Sequence, residues 1–263
     1  MQKQTNSKRY LFHAAAIGAA GQIIHPFHDI IAVQAASALP ASGGFGSSRV
    51  EGFRHKEILS FASAYTEVVG TQAHERVFET LSLAVVEKFN LLDVVTCDRI
   101  VARLTSIHPA DSKEASIVPI GSRFERLRIG NTFFERLEVA PDYFCKPEHA
   151  TFSGLRQALE RDRNLLAPLS LPGPDGNPTP LPPGGQAPGV LGFCIALSYA
   201  EQGAQLGAPL RFTVPQFGTV HLGEFFCYPD SRRLIMLRVD LGCPVQGEIS
   251  MCCADVDGGP YPP

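Results

Sequence analysis

Tryptophan is absent from this sequence of 263 residues, and charged residues make up only 19% of it. Hydrophobic residues make up 44%, and the chain has 24 glycines and 21 prolines. This composition is typical of a turn-rich globule with many strands rather than of a helical bundle. The length is close to the roughly 250–300 residues at which a single hydrophobic core stops growing, so it fits one large domain or two small ones.

A large net charge and a long apolar run are also missing. The formal net charge is −3, so the chain lacks the excess of positive charge that attracts nucleic acids and anionic membranes. No apolar run reaches the roughly 20 residues that a membrane-spanning helix needs. We therefore expect no nucleic-acid partner and no membrane partner.

The sequence contains none of the short motifs that carry well-known chemistry. It has no CxxC pair, no GxSxG motif and no dinucleotide-binding fingerprint. The glycines of residues 42–48 (SGGFGSS) resemble a phosphate-binding loop, but no GK[ST] follows them. We expect these residues to form a turn and the protein to bind no cofactor.

Seven cysteines occur, an odd number that argues against a closed set of disulfides. Cys97, Cys194 and Cys227 lie in apolar stretches, where free cysteine behaves as a small buried hydrophobic residue. The alternative is a metal site made by Cys243, Cys252 and Cys253, although their spacing matches no usual zinc pattern. Buried thiols predict a reducing compartment, and we expect a cytoplasmic protein.

Secretion is the alternative location. Lys3, Lys8 and Arg9 precede the apolar run Leu11–Ile24, and residues 36–38 (ASA) resemble a signal-peptide cleavage site. Against this interpretation, the run contains polar residues and glycines, and the ASA sequence follows a polar cluster at residues 25–29.

One hairpin can be predicted together with its register. Gly130 and Asn131 accept the positive φ of a two-residue loop between the strands of residues 123–129 and 132–139. Counting outward from this loop places apolar residues opposite each other in two pairs, and opposite charges in three: Glu125 with Arg136, Arg123 with Glu138, and Arg126 with Glu135.

The whole pattern predicts a mainly β fold, with antiparallel sandwich-like or barrel-like sheets and one or two short helices; α+β is the alternative. We divide the chain into an N-terminal arm or strand segment (1–38), a β-rich core with a helix near 153–164 (39–167), a Pro/Gly-rich loop or linker (168–189) and a second set of strands (190–257) that completes the same domain. Residues 77–89 fit a strand slightly better than a helix. The tail, residues 258–263, should be frayed.

Two clusters are candidate sites. His25, His28 and Asp29 could bind a metal, because carboxylates commonly orient histidine ligands; a surface turn capped by Asp29 is the alternative. Asp93 and Asp98 lie in a very apolar stretch, where burial would raise a carboxyl pKa as in many catalytic acids. The structural alternative is that Asp93 caps a turn after Asn90 and Asp98 pairs with Arg99 or Arg103.

A third pair, His221 and Glu224, is predicted not to act together. His221 and Glu224 flank Gly223 in an expected strand, and side chains alternate between faces with a period of two. These two residues should therefore point to opposite faces.

Two functions remain. The first is a non-catalytic β-rich protein that binds a protein partner or assembles into a homo-oligomer, because exposed strand edges associate readily. The second is a cofactor-independent enzyme that transfers protons with Asp93, Asp98 and His28.

Overall fold

The computed structural model describes residues 9–74, 76–139, 144, 146–161, 167–168, 170–172, 178–180, 191–194, 196–198 and 211–261. The strands of the first half are β1 (Arg9–His25), β2 (Asp29–Ala38), β3 (Gly44–His55), β4 (Leu59–His74), β5 (Val77–Leu91), β6 (Val95–Pro109), β7 (Ser116–Val118), β8 (Arg123–Ile129) and β9 (Thr132–Val139). Two helices follow: α1 (Pro147–Ala150) and α2 (Phe152–Arg161). The remaining strands are β10 (Ala167–Pro168), β11 (Ser170–Pro172), β12 (Pro178–Pro180), β13 (Leu191–Cys194), β14 (Ala196–Ser198), β15 (Arg211–Val214), β16 (Gly218–Cys227), β17 (Ser231–Leu241) and β18 (Gln246–Tyr261).

The strands form two large antiparallel sheets. We call the first sheet A, with the order β10-β13-β16-β17-β18-β1-β2 and β15 also paired with β16. Sheet B has the order β14-β9-β8-β6-β5-β4-β3, with β7 also paired with β6. The two sheets pack face to face, because β1, β17 and β18 of sheet A contact β4, β5 and β6 of sheet B. The prediction of a mainly β, antiparallel sandwich with few helices is confirmed, and the described strands do not close into a barrel.

The two ends of the described chain meet in sheet A. Strand β1, which contains the apolar run Leu11–Ile24, pairs along most of its length with β18, and β18 also pairs with β17. The prediction of a frayed tail is wrong for residues 258–261, because β18 continues to Tyr261 opposite Arg9. Main-chain hydrogen bonds to β1 hold these residues in the sheet.

A continuous hydrophobic core lies between the sheets. It contains small residues of β1, such as Ala14 and Ala16, and large ones of the opposite sheet, such as Phe89 and Phe124. Residues of β1 to β9 and of β15 to β18 form this core or pack against it, so these strands belong to a single domain. The ambiguous segment 77–89 belongs to β5 and is a strand.

The predicted hairpin has the predicted register. Gly130 has a φ of 54°, and Glu125 lies opposite Arg136 and Arg123 opposite Glu138. The ion pairs of Arg123 and Arg136, however, run along their own strands, because Arg123 binds Glu125 with an Nε to Oε1 distance of 2.7 Å and Arg136 binds Glu138. Arg126, predicted to pair with Glu135, lies 3.6 Å from Asp98 of β6 instead. The main-chain partners were therefore predictable and the side-chain partners were not.

Two predicted loops contain strands. Most of residues 42–48, predicted as a turn, belong to β3, which begins at Gly44 and pairs with β4. In the predicted linker, 168–189, the described residues include β11 and β12, which pair with each other. Antiparallel pairing satisfies main-chain groups that an exposed loop would leave to water.

The helix predicted near 153–164 is α2, which begins at Phe152; residues 162–164 lie outside the described part of the chain. The carboxylate of Glu114, which follows β6, accepts hydrogen bonds from the amide and the hydroxyl of Ser153, each at 3.0 Å. An acidic group at a helix N-terminus binds the free amides of the first turn. Phe152 and Leu155 extend the core, so the helix is packed against the sandwich.

Each sheet carries one row of aligned irregularities, which we call its crease. The crease of sheet A contains Gly18, Ala35, Gly223, Met236 and Cys252, which face each other on five neighbouring strands. The crease of sheet B contains Gly52, Ala62, Lys88, Asp98, Arg126 and Glu135. Positive φ recurs on alternate strands of both rows, and the register is the same on both sides of each row. A bulge normally changes the register and the facing of side chains. Here neighbouring strands share the irregularity, so the register is kept and only the face of the sheet to which the side chains point changes.

Candidate functional site

The predicted metal cluster forms a turn between β1 and β2. His25 and His28 are exposed there, whereas Asp29 binds Lys56 of the β3–β4 turn, with an Oδ2 to Nζ distance of 2.9 Å. The Lys56 ammonium lies 3.3 Å from the centre of the Phe27 ring. The hydrogen bond from Lys56 is the main cause that lowers the pKa of Asp29 below its usual value. Within the described residues, no three His, Cys, Asp or Glu side chains are grouped to hold a metal ion.

The two candidate acids also have structural partners. Asp93 lies in the β5–β6 turn, where its amide donates to the side-chain oxygen of Asn90 at 2.9 Å and its carboxylate accepts from the same side chain at 2.6 Å. Asp98 lies in the crease of sheet B, and its oxygens are 3.1 Å from Lys88 Nζ and 3.6 Å from Arg126 Nε. The structure therefore gives Asp98 basic partners on both neighbouring strands, not the predicted Arg99 or Arg103.

A partly buried group of four charged or polar side chains lies on β16 and β17. We call His221, Glu224, Arg238 and Asp240 the quartet. Arg238 donates to both oxygens of Glu224 at 2.8 and 2.9 Å and to Asp240 at 2.5 Å, and His221 Nε2 lies 2.8 Å from the second oxygen of Asp240. His221 Nδ1 lies 3.7 Å from Glu224. Each member thus touches two others in a closed ring.

The prediction that His221 and Glu224 point to opposite faces is wrong. Gly223, in the crease, has a φ of 63°. On β16 the core residues are Val220 and Leu222 before the crease and Phe225 and Cys227 after it, so the spacing of inward residues increases from two to three at Gly223. His221 and Glu224 consequently share one face.

Burial and the contacts within the quartet shift the pKa values of Arg238 and Asp240 in opposite directions. The Glu224 side chain is only 3% exposed, that of Arg238 18% and that of Asp240 45%. Burial alone would lower the pKa of Arg238, but the hydrogen bonds and charges of Glu224 and Asp240 hold it well above its usual range. Burial alone would raise the pKa of Asp240, but His221 and Arg238 keep it below its usual value. Asp240 is held as a carboxylate by these contacts, and Glu224 has both oxygens bound by Arg238, which is typical of a structural network rather than of a proton donor.

A different part of the molecule offers an open site. A cavity of about 720 Å³ lies where the start of β1 and the end of β18 meet the loop after β6. We call it the end cavity. It is lined by Leu11, Phe12, His13, His108, Ala110, Asp111, Ser112, Lys113, Asp230, Asp257, Gly258, Gly259 and Pro260. This volume is within the range of sites that bind small molecules.

Two residues of the lining, Phe12 and His108, belong to an aromatic cluster that lies behind the end cavity. The Tyr10 ring stacks on Phe78 with centroids 4.1 Å apart and meets the edges of Phe12 and His108. Burial and the charge of Asp257 raise the pKa of Tyr10 to about 12. Gly258 is required beside this ring, because its φ is 153° and an added Cβ would lie 2.6 Å from the Tyr10 oxygen. The wall is therefore tightly packed and shaped in advance.

Charged groups at the end cavity are unevenly paired. Asp111 binds Arg76, but within the described residues neither Asp230 nor Asp257 has an ion pair. Asp257 accepts a hydrogen bond from the Gly258 amide at 2.5 Å. The exposed Lys113 and His13 are the basic side chains that complete the lining.

The five described thiols are free. Four of them, Cys97, Cys227, Cys252 and Cys253, are largely removed from water, and burial raises their pKa values, to about 12 for Cys97, Cys227 and Cys253. Cys243 alone of the five is exposed. The alternative metal site of Cys243, Cys252 and Cys253 is not among the groups that the described residues form.

The comparisons with known proteins define a family but no activity. A family model described as a domain of unknown function, DUF8256, matches residues 10–163, which is more than half of the chain, and the protein belongs to this family. No curated protein and no solved structure matches the chain. Among the described residues, no helix is long and apolar enough to cross a bilayer.

Proposed function

We propose that this member of the DUF8256 family is a non-catalytic binding protein and that the end cavity is its ligand site. The observation that carries the proposal is a preformed cavity whose wall holds two carboxylates, Asp230 and Asp257, without ion-pair partners in the described chain. Asp257 is partly buried and Asp230 is exposed. A partly buried charge is usually paired, and polar groups without partners in a concave site are typical of ligand recognition.

The position of the cavity in the fold supports the same role. Its residues come from β1, from the loop between β6 and β7, from the β16–β17 turn and from β18, so both sheets contribute to it. Ligands often bind where loops and strand ends meet at the edge of a rigid scaffold.

The test of this proposal uses Gly259. An added Cβ at this position meets no atom within 4 Å, so a large side chain can enter the cavity without displacing the strand. We expect ligand-observed NMR with a library of cationic, neutral and anionic small molecules to find binders that Gly259→Phe excludes and Gly259→Ala retains. A library in which no binder distinguishes these two variants would contradict the proposal.

Self-association is a second candidate function, supported by β2. This edge strand of sheet A has no charged residue between Ile30 and Ala38, and Ile30 and Val33 are 79% and 53% exposed. Strands with apolar, uncharged edges tend to associate. The side chain of Gln34 donates to the Ala32 carbonyl at 2.8 Å, which occupies one acceptor of the strand, so the contact should involve side chains.

Light scattering at several concentrations tests this second candidate. We expect a concentration-dependent homo-oligomer that Ile30→Lys returns to a monomer, whereas Ser47→Lys, at an exposed position on the edge strand of sheet B, should not. A monomer at all concentrations in the unaltered protein would exclude association through β2.

The enzymatic alternative receives less support. Asp93 lies in the β5–β6 turn, Asp98 in the crease of sheet B and His28 in the β1–β2 turn. Both acids contact structural partners. General acid-base catalysis needs the groups within hydrogen-bonding reach of one substrate. We also propose a cytoplasmic location, which the free thiols support.

A further inference from the structure

We infer that the outer face of sheet B binds the same face of a second copy of this chain through a block of alternating charges, which we call the checkerboard. Its eight residues lie on β5, β6, β8 and β9: Glu87, Lys88, Asp98, Arg99, Glu125, Arg126, Glu135 and Arg136. This contact involves neither the end cavity nor β2, so it goes beyond both candidate functions.

The crease of sheet B places two consecutive charged residues of each strand on the outer face. On β5, the core residues on either side of Glu87 and Lys88 are Val86 and Phe89, which are three residues apart instead of two. Both charged residues therefore point away from the core. The same spacing of residues that form the core or pack against it occurs on the other three strands, at Cys97 and Ile100, Phe124 and Leu127, and Phe134 and Leu137.

The order of the charges makes the block alternate both along and across the strands. Neighbouring strands are antiparallel, so an acid on one strand lies beside a base on the next. In one row, Glu87 lies opposite Arg99, and the alternation continues to β9. In the other row, Asp98 lies 3.1 Å from Lys88 and 3.6 Å from Arg126. In the sequence an acid precedes a base on all four strands, in Glu87-Lys88, Asp98-Arg99, Glu125-Arg126 and Glu135-Arg136.

The checkerboard is accessible to a partner. The side chains of Lys88 and Arg126 are 66% and 63% exposed, that of Arg136 is 58% exposed, and Glu135 is also exposed. Exposed ion pairs contribute little to folding stability, so a regular block of eight charges is more than the fold requires. Complementary charges instead determine which surfaces associate and in which orientation.

A two-fold axis along the strands, between β6 and β8, makes the checkerboard complementary to itself. Such an axis places β5 over β9 of the second copy and β6 over β8. Lys88 then faces Glu135 of the second copy, and Asp98 faces Arg126 of the second copy. The other row matches in the same way, because its charges alternate in the opposite order. A closed contact between identical copies requires this kind of self-complementarity.

The flanking rows of the outer face distinguish this axis from the alternative one. A two-fold axis across the strands would also match the eight charges, but it would place Arg123 over Arg128 of the second copy. Like charges in contact disfavour an arrangement. The axis along the strands brings no like charges together in these rows, because it places Arg123 over Val101 and Arg128 over Thr96.

The contact should be weak and sensitive to salt. Exposed ion pairs gain little free energy, and association costs translational and rotational freedom. We therefore expect light scattering at micromolar concentrations, where Ile30→Lys tests β2, to miss it. Covalent trapping at submillimolar concentrations and low ionic strength should detect it, since salt screens exposed charges.

The experiment is carbodiimide cross-linking, which joins a lysine directly to a carboxylate in contact with it. Unlabelled and heavy-nitrogen-labelled Ile30→Lys chains are mixed, so that the β2 contact is removed, and the peptides are read by mass spectrometry. We expect a Lys88–Glu135 product that contains both isotopes. Within one chain these residues are three strands apart, about 14 Å, so they meet only across the two-fold axis. The Lys88–Asp98 product, which forms within one chain, is the internal control.

Charge reversal in the same Ile30→Lys background tests the pattern. Arg126→Glu should reduce the mixed-isotope Lys88–Glu135 product about tenfold or more, because the new carboxylate would face Asp98 of the second copy. Arg49→Glu makes the same change on β3, at a side chain that is 64% exposed, and should leave the product unchanged. Asp98→Lys should also reduce the product, because the new ammonium would face Arg126 of the second copy.

Mixing the two variants separates a lost contact from a damaged fold. When unlabelled Arg126→Glu is mixed with labelled Asp98→Lys, each altered position faces an opposite charge, so the mixed-isotope product should return. The inference is wrong if the unaltered face gives no mixed-isotope product, if Arg126→Glu links as well as Arg49→Glu, or if the mixture of variants stays unlinked. These outcomes do not involve Gly259→Phe, so the end cavity is judged by its own test.

Discussion

Removing the charge of Glu224 should destabilise the protein strongly. The Glu224→Gln substitution retains the size of a side chain that is 3% exposed but replaces one of the two oxygens that bind Arg238 at 2.8 and 2.9 Å. Breaking a buried ion pair by removing one partner costs about 3–5 kcal/mol, because it leaves the other charge buried without compensation. Arg238 keeps its contact with the half-exposed Asp240, so we expect a loss of unfolding free energy at the lower end, about 3 kcal/mol.

Urea denaturation followed by circular dichroism measures this loss. Glu248→Gln, an exposed position on β18, is the matched control and should change the unfolding free energy by less than about 0.5 kcal/mol. Combining Glu224→Met with Arg238→Met removes both charges, so the double variant should lose less stability than the sum of the two single variants.

A loss below about 1 kcal/mol in Glu224→Gln would refute this reasoning, since an exposed ion pair would account for it. Additive losses in the double variant would also refute it, because they would mean that Glu224 and Arg238 do not stabilise each other in the folded protein.

Three further predictions concern protonation, packing and thiol exposure. The pKa of Asp240 is lowered on folding, so its stabilising contribution is present above its ordinary pKa of 3.8 and is lost as the pH falls below that value. Asp240→Asn should therefore reduce the pH dependence of stability below about pH 4 in acid denaturation. Gly258→Ala should cost about 2 kcal/mol or more, because its Cβ would meet Tyr10 at a φ that favours glycine, whereas Gly259→Ala should change the melting temperature little. Alkylation of the native protein at pH 8, read by peptide mass spectrometry, should modify the exposed Cys243 well before the buried Cys97, Cys227 and Cys252, and equal rates would contradict their burial.

Local signals in the sequence were sufficient for much of the fold. The hairpin register followed from Gly130 and Asn131, because a two-residue loop of fixed length determines every opposite pair. The helix near Ser153 followed from capping and an apolar stripe, although its cap comes from Glu114, 39 residues away. This contact depends on the position of the β6–β7 loop beside the start of α2, which no local pattern encodes.

The end cavity could not have been predicted from the sequence. Its lining comes from four separate segments of the chain, around Leu11, Asp111, Asp230 and Asp257, and none of them contains a recognisable motif. Only the pairing of β1 with β18 brings the first and the last of these segments together. Asp93 and Asp98 were predicted as candidate acids because they interrupt an apolar stretch. Carboxylates that cap turns or form ion pairs interrupt apolar stretches in the same way.

The crease explains why the quartet was missed and why it exists. Strict alternation assigns His221 and Glu224 to opposite faces, and a positive φ at Gly223 is invisible to that rule. Met236, on the adjacent strand, shares the irregularity, so β16 and β17 keep their register while their side chains change facing together. If the crease is what places the acids, then Gly223→Val should break the Glu224 contacts with His221 and Arg238 and should remove most of the coupling measured between Glu224 and Arg238. Undiminished coupling in that background would mean that the quartet forms independently of the crease.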